Sequence, residues 1–525
     1  MADAGTSKNE NSAFGEAGLA ATIKATCEEI RQLYLSDEIP WVIGYSGGKD
    51  SSAVLQLVWL ALKGLPRESL KKPIHVISTD TLVEQPVVAA WVVASHAKMR
   101  KAAEKQELPF IPHRLTPDVH DAFWVNLIGK GYPAPRKTFR WCTSRMKINP
   151  SNNFIRSVVR DSGEAILILG TRKAESSKRH ANMDSQPKVG HAAVMIRDRL
   201  SPNASLPNSL VYTPVEDWTN DDVWLFLMQV KNPWGHTNKS LLGMYQGASS
   251  DGECPLVVDS TTPSCGNSRF GCWVCTLVDK DRSMEAMIKN DDEKVWMTPL
   301  LELRNDLGDF AQEKSRRDFR RMNGRIYLEK SRTEGKEDLH VRGPYKKPAR
   351  EYWLRKVLEA QQEIRRLGPK EFQDIELISL AEMQEIRRIW LYEKHEFDDA
   401  VPAIYEDVIN EEFPKVASDD NLLRSDDWKI LRDVCGDDEA FFELQASLLD
   451  VEREYRGMSR RAGIYEALED RFKLGQYGNE DKALEIRRDE EHRRREADEV
   501  DDQHEPIIVQ KALFEDREPD EVEAI

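Results

Sequence analysis

Trp41-Val42-Ile43-Gly44-Tyr45-Ser46-Gly47-Gly48-Lys49-Asp50-Ser51-Ser52 runs straight into Ala53-Val54-Leu55-Gln56-Leu57-Val58-Trp59-Leu60. An apolar run, a glycine-rich turn and a second apolar run predict a strand, a tight loop and a helix start. Two glycines let the backbone turn sharply, so several amide N–H groups can point into one small volume. The helix that follows adds its unpaired N–H groups and the positive end of its dipole, which together favour a phosphate. Lys49 contributes a fixed charge, and Ser46, Ser51 and Ser52 contribute hydroxyls. The order of residues differs from the GxxxxGK[ST] of a P-loop.

Outward from this loop the chain alternates strand and helix signals. Leu19 to Leu35 has helical apolar spacing. Residues 73–81, ending Thr79-Asp80-Thr81, predict a second buried strand, and Pro86 to Lys105 a long helix. Residues 109–115 predict a third strand, and Ala165-Ile166-Leu167-Ile168-Leu169-Gly170-Thr171-Arg172 a fourth. Such alternation argues for an α/β fold with a parallel sheet covered by helices on both faces. Ligands then bind beyond the carboxyl ends of the strands. The phosphate loop, Asp80 and Arg172 all fall at those ends. Arg172 and Arg179 have the chemistry to clamp phosphate oxygens bidentately. Asp50 suits a loop organiser or an indirect Mg²⁺ ligand.

At 525 residues, two or three domains are expected. The divisions read from composition are a disordered 1–15, an α/β domain over 16–235, a cysteine-rich segment over 236–300 and a charged helical region over 301–525. Asn182 to Asn208 reads as a mobile loop, Leu354 to Leu367 and Ile375 to Tyr392 as helices, and Asp481 to Ala497 as a solvated helix. The formal charge is −16, so the chain as a whole is no simple polyanion binder. Two basic strips nonetheless offer phosphate contacts: Arg136, Lys137, Arg140, Arg145 and Lys147, and the stretch from Arg316 to Lys356 with its interleaved aromatics. No apolar run reaches membrane-spanning length and the N-terminus lacks a secretory core, so a cytoplasmic location without membrane contact is the expectation.

Of seven cysteines, Cys254, Cys265, Cys272 and Cys275 fall within one short stretch. Thiols at that density suit tetrahedral zinc or a [4Fe–4S] cluster. A zinc ribbon shows two Cys-x2-Cys knuckles, and only one is present. Cys27 and Cys435 read as core cysteines.

Six elements in order resemble the phosphoadenosine-phosphosulfate reductase branch of the PP-loop ATP pyrophosphatases. They are Ser46 to Ser51; Asp80-Thr81 with Glu84; Trp141-Cys142-Thr143-Ser144-Arg145-Met146-Lys147; Gly170-Thr171-Arg172-Lys173-Ala174-Glu175-Ser176 with Arg179; Pro214, Trp218, Asp222, Val223 and Trp224; and Gly271-Cys272-Trp273-Val274-Cys275-Thr276. Within that branch, the cysteine-rich stretch, the charged helical extension and the overall length are similar to the DndC family of DNA phosphorothioation sulfurtransferases.

The resemblance implies ATP and Mg²⁺ held by Ser46, Gly47, Gly48, Lys49, Asp50, Ser51, Ser52, Asp80, Gly170 and Arg172. Catalytic roles would fall to Lys49, Asp50, Cys142, Arg172 and Arg179. It favours a [4Fe–4S] cluster over Zn²⁺ on Cys254, Cys265, Cys272 and Cys275, with Cys142 as an alternative ligand. Cys142 could instead carry a persulfide, its pKa lowered by Arg140, Arg145 and Lys147. The implied reaction adenylates a DNA backbone phosphate and replaces an oxygen with sulfur from a cysteine desulfurase. The implied partners are an ATPase and a DNA-binding subunit of the same sulfur-modification system. Three rivals stand beside it: a tRNA thiolase, an assimilatory reductase and a non-catalytic DNA-binding scaffold. The reductase is disfavoured because the chain ends Glu521-Val522-Glu523-Ala524-Ile525, without the Glu-Cys-Gly-Leu-His element of those enzymes.

Overall fold

Strict alternation along the strands decides how the sheet is buried. Trp41 and Ile43 enter one core with Ile74, Val76, Ile166 and Ile168, while Val42, Ile77, Ala165 and Leu167 enter another on the opposite face. Period-two burial on both faces is what a parallel sheet between two helix layers requires. The computed structural model describes residues 12–502 apart from 16, 176–199, 204, 250–269, 331–337, 395, 397, 415–424, 437, 459 and 475–478.

The chain divides into two units, one of residues up to 316 together with 345–418, the other of 317–344 together with 419 onward. In the first unit the strands are β1 (Trp41–Gly44), β2 (Ile74–Thr79), β3 (Phe110–Leu115), β4 (Ala165–Ile168), β5 (Ser201–Pro202) and β6 (Ser209–Tyr212), in spatial order β3-β2-β1-β4-β6-β5. All neighbours run parallel except β5 against β6. Helices α1 (Gly18–Leu35), α2 (Lys49–Lys63) and α3 (Pro86–Gln106) contribute to the first core, and α4 (Asn149–Ser162) contributes to the second. Right-handed crossovers explain the split: the chain steps from β1 outward to β3, then returns past β1 to β4, so the connecting helix must change face. The reversal point lies between β1 and β4, where doubly wound sheets bind ligands.

Further helices of this unit are α5 (Asn220–Gln229), α6 (Asn238–Gly247), α7 (Arg282–Asn290), α8 (Thr298–Leu307) and, after the excursion through the second unit, α9 (Lys347–Leu367), α10 (Leu380–Tyr392) and α11 (Ala400–Ile409). A third core gathers Trp124, Trp141, Trp273, Trp353 and Trp390. Two of its buried indoles find partners far away in sequence: Trp124 Nε1 donates to the Leu377 carbonyl at 2.7 Å, and Trp390 Nε1 to the Ile128 carbonyl at 3.0 Å. Thus 345–414 groups with the N-terminal sheet, and the helical part after residue 300 divides between the two units. The apolar faces of α9, α10 and α11 find their burial on the segment around Trp124.

The second unit pairs β7 (Leu328–Glu329) with β8 (Leu339–His340) and carries α12 (Ser425–Cys435), α13 (Glu439–Tyr455), α14 (Ile464–Leu474) and α15 (Glu480–Asp502). Its core includes Ile326, Leu328 and Ala483, so α15 is not solvated all round.

Two further expectations need correcting. Residues 12–15 are not disordered: Ser12 Oγ donates to Asp222 at 2.6 Å and Phe14 is buried edge-on to Trp218. The expected loop 182–208 contains β5, whose pairing with β6 gives its backbone a partner; residues 182–199 and 204 lie outside the described ones. Among the described residues no helix is long and apolar enough to cross a membrane.

Candidate nucleotide and thiol site

The glycine loop is held from beneath and behind. Gly47 has φ +75°, and a Cβ there would lie 2.6 Å from Val92 Cγ2, so only glycine fits. Trp91 Nε1 donates to the Gly47 carbonyl at 3.1 Å. Gly48 is the extended N-cap of α2. Ser51 Oγ donates to the Gly48 carbonyl at 3.1 Å and accepts from the Ser46 amide at 3.2 Å, so these serines brace the turn as well as lining it. Ser52 is buried and turned towards Tyr45.

Both oxygens of Asp50 hold cations. Lys49 Nζ lies 2.9 Å from Oδ2, and Arg172 Nε lies 2.7 Å from Oδ1. Arg172 is 3% exposed, and its Nη1 also donates to the Trp218 carbonyl at 3.0 Å. The arginine therefore ties the end of β4 to the first turn of α2. Gly170 makes that approach possible, since a Cβ there would sit 2.9 Å from the Asp50 backbone carbon and oxygen. Loop amides, the α2 dipole and Lys49 meet at the sheet's reversal point and form an anion cradle. Arg179 lies outside the described residues.

From β2 the chain passes Asp80, Thr81 and Glu84 towards the cysteines. Asp80 Oδ1 accepts from the Leu82 amide at 2.8 Å, stabilising a residue with φ +64°, and Oδ2 pairs with Arg114. Thr81 Oγ1 lies 3.3 Å from Cys272 Sγ and 3.0 Å from Glu84 Oε1. Glu84 and Cys272 form a β-bridge, and the Trp273 amide donates to the Val83 carbonyl at 3.0 Å. Lys147 Nζ is 3.4 Å from Glu84 Oε1.

Lys147 lies in a π-helical turn, Thr143–Ile148, that starts just after Cys142; such turns often mark functional positions. Burial pushes the Cys272 thiol up to about 12, and the Glu84 carboxylate adds to it while Lys147 opposes. Burial alone would lower Lys147, but Cys272 and Glu84 outweigh it and raise its pKa. Cys142 and Cys272 both feel the thiol of Cys275. The expected lowering of Cys142 does not occur: burial outweighs Lys147 and Arg140 and raises its pKa. Arg145 instead bonds Tyr132 at 3.1 Å and Asn126.

Three thiols thus share one neighbourhood, yet among the described residues no group of three or more His, Cys, Asp or Glu could hold a metal ion. Cys254 and Cys265 lie outside the described residues. The described donors alone do not make a ligand set for a cluster or for zinc.

Sequence reasoning missed two residues here. Arg304, 1% exposed, donates to the carbonyls of Cys275 at 3.0 Å, Asp279 at 2.8 Å and Val278, pinning the exit of the cysteine turn. In Leu301-Glu302-Leu303-Arg304-Asn305 it reads as a solvated helical cation, with no signal to separate it from its neighbours. Tyr245 Oη accepts from the Lys49 amide at 3.3 Å across 196 positions. The basic strip from Arg316 is largely neutralised within each unit: Arg316 by Asp306 at 2.9 Å, Arg320 by Glu443 at 3.1 Å, Arg350 by Glu396 at 3.0 Å and Lys347 by Asp398 at 2.7 Å. Lys137 and Arg140 are exposed.

Residues 40–277 match the phosphoadenosine phosphosulfate reductase domain family. An uncharacterized protein of Methanocaldococcus jannaschii is 24% identical over 276 residues, 52% of this chain and 42% of its own length; the chain thus spans about two-fifths of that relative. Among solved structures, the Candida glabrata FMN adenylyltransferase in complex with FAD and inorganic pyrophosphate is 12% identical, with a TM-score of 0.25 over 47% of this chain and 64% of its own. The U34-tRNA thiolase NcsA from Methanococcus maripaludis with its [4Fe-4S] cluster is 15% identical, with a TM-score of 0.26 over 60% of this chain and 86% of its own.

Proposed function

We propose that this protein is an ATP-dependent sulfurtransferase that adenylates a DNA backbone phosphate and replaces one of its oxygens with sulfur. One observation carries the reading: the segment Asp80–Glu84 leaves β2 beside the anion cradle and reaches Cys272 through Thr81 and Glu84. Phosphate activation and sulfur delivery then share one edge of the sheet.

A phosphate oxygen of the acceptor attacks the α-phosphorus of ATP, and pyrophosphate leaves. The α2 N-terminus and Lys49 offset the charge that develops on the leaving group; Mg²⁺, when bound, supplies the rest. A cysteine desulfurase loads one of the three thiols as a persulfide. Its terminal sulfur attacks the adenylated phosphorus, and AMP departs with the former phosphate oxygen. A neighbouring thiol attacks the sulfur still bonded to cysteine, releasing the phosphorothioate and leaving a protein disulfide. An external dithiol resets it by supplying two electrons.

The test is pyrophosphate release from ATP in the presence of DNA or tRNA, joined to iodine cleavage of DNA from cells with and without the gene. Release with DNA and iodine-labile DNA only when the gene is present is the expected result. Absence of release with either nucleic acid sinks the reading. Release coupled to thiolated tRNA moves the acceptor to RNA.

A further inference from the structure

Tyr245 touches both halves of the site. Its hydroxyl accepts from the Lys49 amide at 3.3 Å, one of the N–H groups at the α2 N-terminus. Its ring lies edge to face with Phe270 at 4.8 Å and with Trp224 at 5.1 Å, and Lys49 Nζ stands 5.9 Å from its centroid. Phe270 precedes Cys272 by two residues, and the Cys272–Glu84 bridge follows at once. The ring is 9% exposed. A phenol oxygen and a phosphate oxygen would compete for the same amide.

We propose that Tyr245 is a positioning residue that reports nucleotide occupancy of the loop to the Cys272–Cys275 turn. A triphosphate entering the cradle takes the Lys49 amide and displaces the hydroxyl. The ring is wedged against Phe270, so its displacement moves the start of the cysteine turn. The energy for the shift is the difference in nucleotide affinity between the two arrangements. This inference rests on ATP binding at the loop.

The experiment uses the full chain, a non-hydrolysable ATP analogue and the variants Tyr245→Phe and Phe270→Leu. Calorimetry reads affinity, and hydrogen exchange reads the amides of 270–276, among them Trp273 bonded to Val83 and Cys275 bonded to Cys272. The analogue is expected to change exchange of these amides several-fold in the wild type. Tyr245→Phe is expected to bind the analogue about threefold to tenfold more tightly, the worth of one hydrogen bond, while losing the exchange response. Phe270→Leu keeps the affinity and loses the response. A wild-type protein that binds the analogue without any change in 270–276 overturns the inference alone, as does a full response in both variants. A wild-type protein that binds no nucleotide overturns the proposed function and this inference together.

Discussion

Lys49 and Gly170 test the anion cradle in opposite ways. Lys49→Ala removes a charge from the site without opening a large cavity, so pyrophosphate release should fall about a hundredfold or more while thermal unfolding stays close to wild type. Gly170→Ala forces a methyl against the Asp50 backbone at 2.9 Å. Overpacking of that kind costs about 1–3 kcal/mol, so its urea midpoint should drop and activity should fall with it; an unchanged midpoint would mean the loop gives way freely. At this scale the loop residues were legible because glycine and lysine act through local backbone geometry. Asp50 was legible as an organiser, but its pairing with Arg172 was not, since no periodicity announces a contact 122 positions away. The environment of Cys142 misled for a related reason: nearby basic residues show in the sequence, and burial does not.

Between elements, the packing of α3 on the sheet predicts a pH dependence. His96 on α3 bonds Ser78 on β2 at 2.8 Å, is 2% exposed, and is held down to about 4 by burial and then by Arg100. In the unfolded chain it returns to about 6.5. Between these values the unfolded state binds the extra proton, so stability is full above the upper one and declines as pH falls towards the lower. The shift corresponds to about 3 kcal/mol. Urea midpoints measured from pH 7 to pH 4.5 should fall more steeply for the wild type than for His96→Gln; parallel slopes would remove His96 as the cause. A second element-scale outcome concerns α8. Arg304→Met should leave three carbonyls of the cysteine turn without their donor, costing about 2–3 kcal/mol, and should speed hydrogen exchange in 275–279 ahead of the rest of the molecule. β1 to β4 were legible because each is an apolar-rich run, whereas β6, four residues long, was not. β5 was not, being two residues long and flanked by polar sequence.

Across the whole molecule, continuity in sequence is a poor guide to continuity in space. A chain ending at residue 418 keeps every helix that covers Trp124 and Trp141 and should fold, losing α12 to α15 and leaving 317–344 without them. A chain ending at 344 lacks α9, α10 and α11, exposes the third core, and should aggregate or be degraded; circular dichroism and limited proteolysis of the two truncations would separate these outcomes. The boundaries at 316 and 345 were invisible in composition because charged helices occur on both sides of them. The long-range bonds of Trp124 and Trp390 also set an order of events during synthesis. The sheet and its glycine loop can form once roughly the first half of the chain has emerged, but the indoles around the cysteine turn wait for Leu377 and Trp390. An interrupted translation product would therefore carry a phosphate cradle with an unfinished thiol pocket. On the proposed reading, premature loading of those thiols is deferred until Trp390 has left the ribosome.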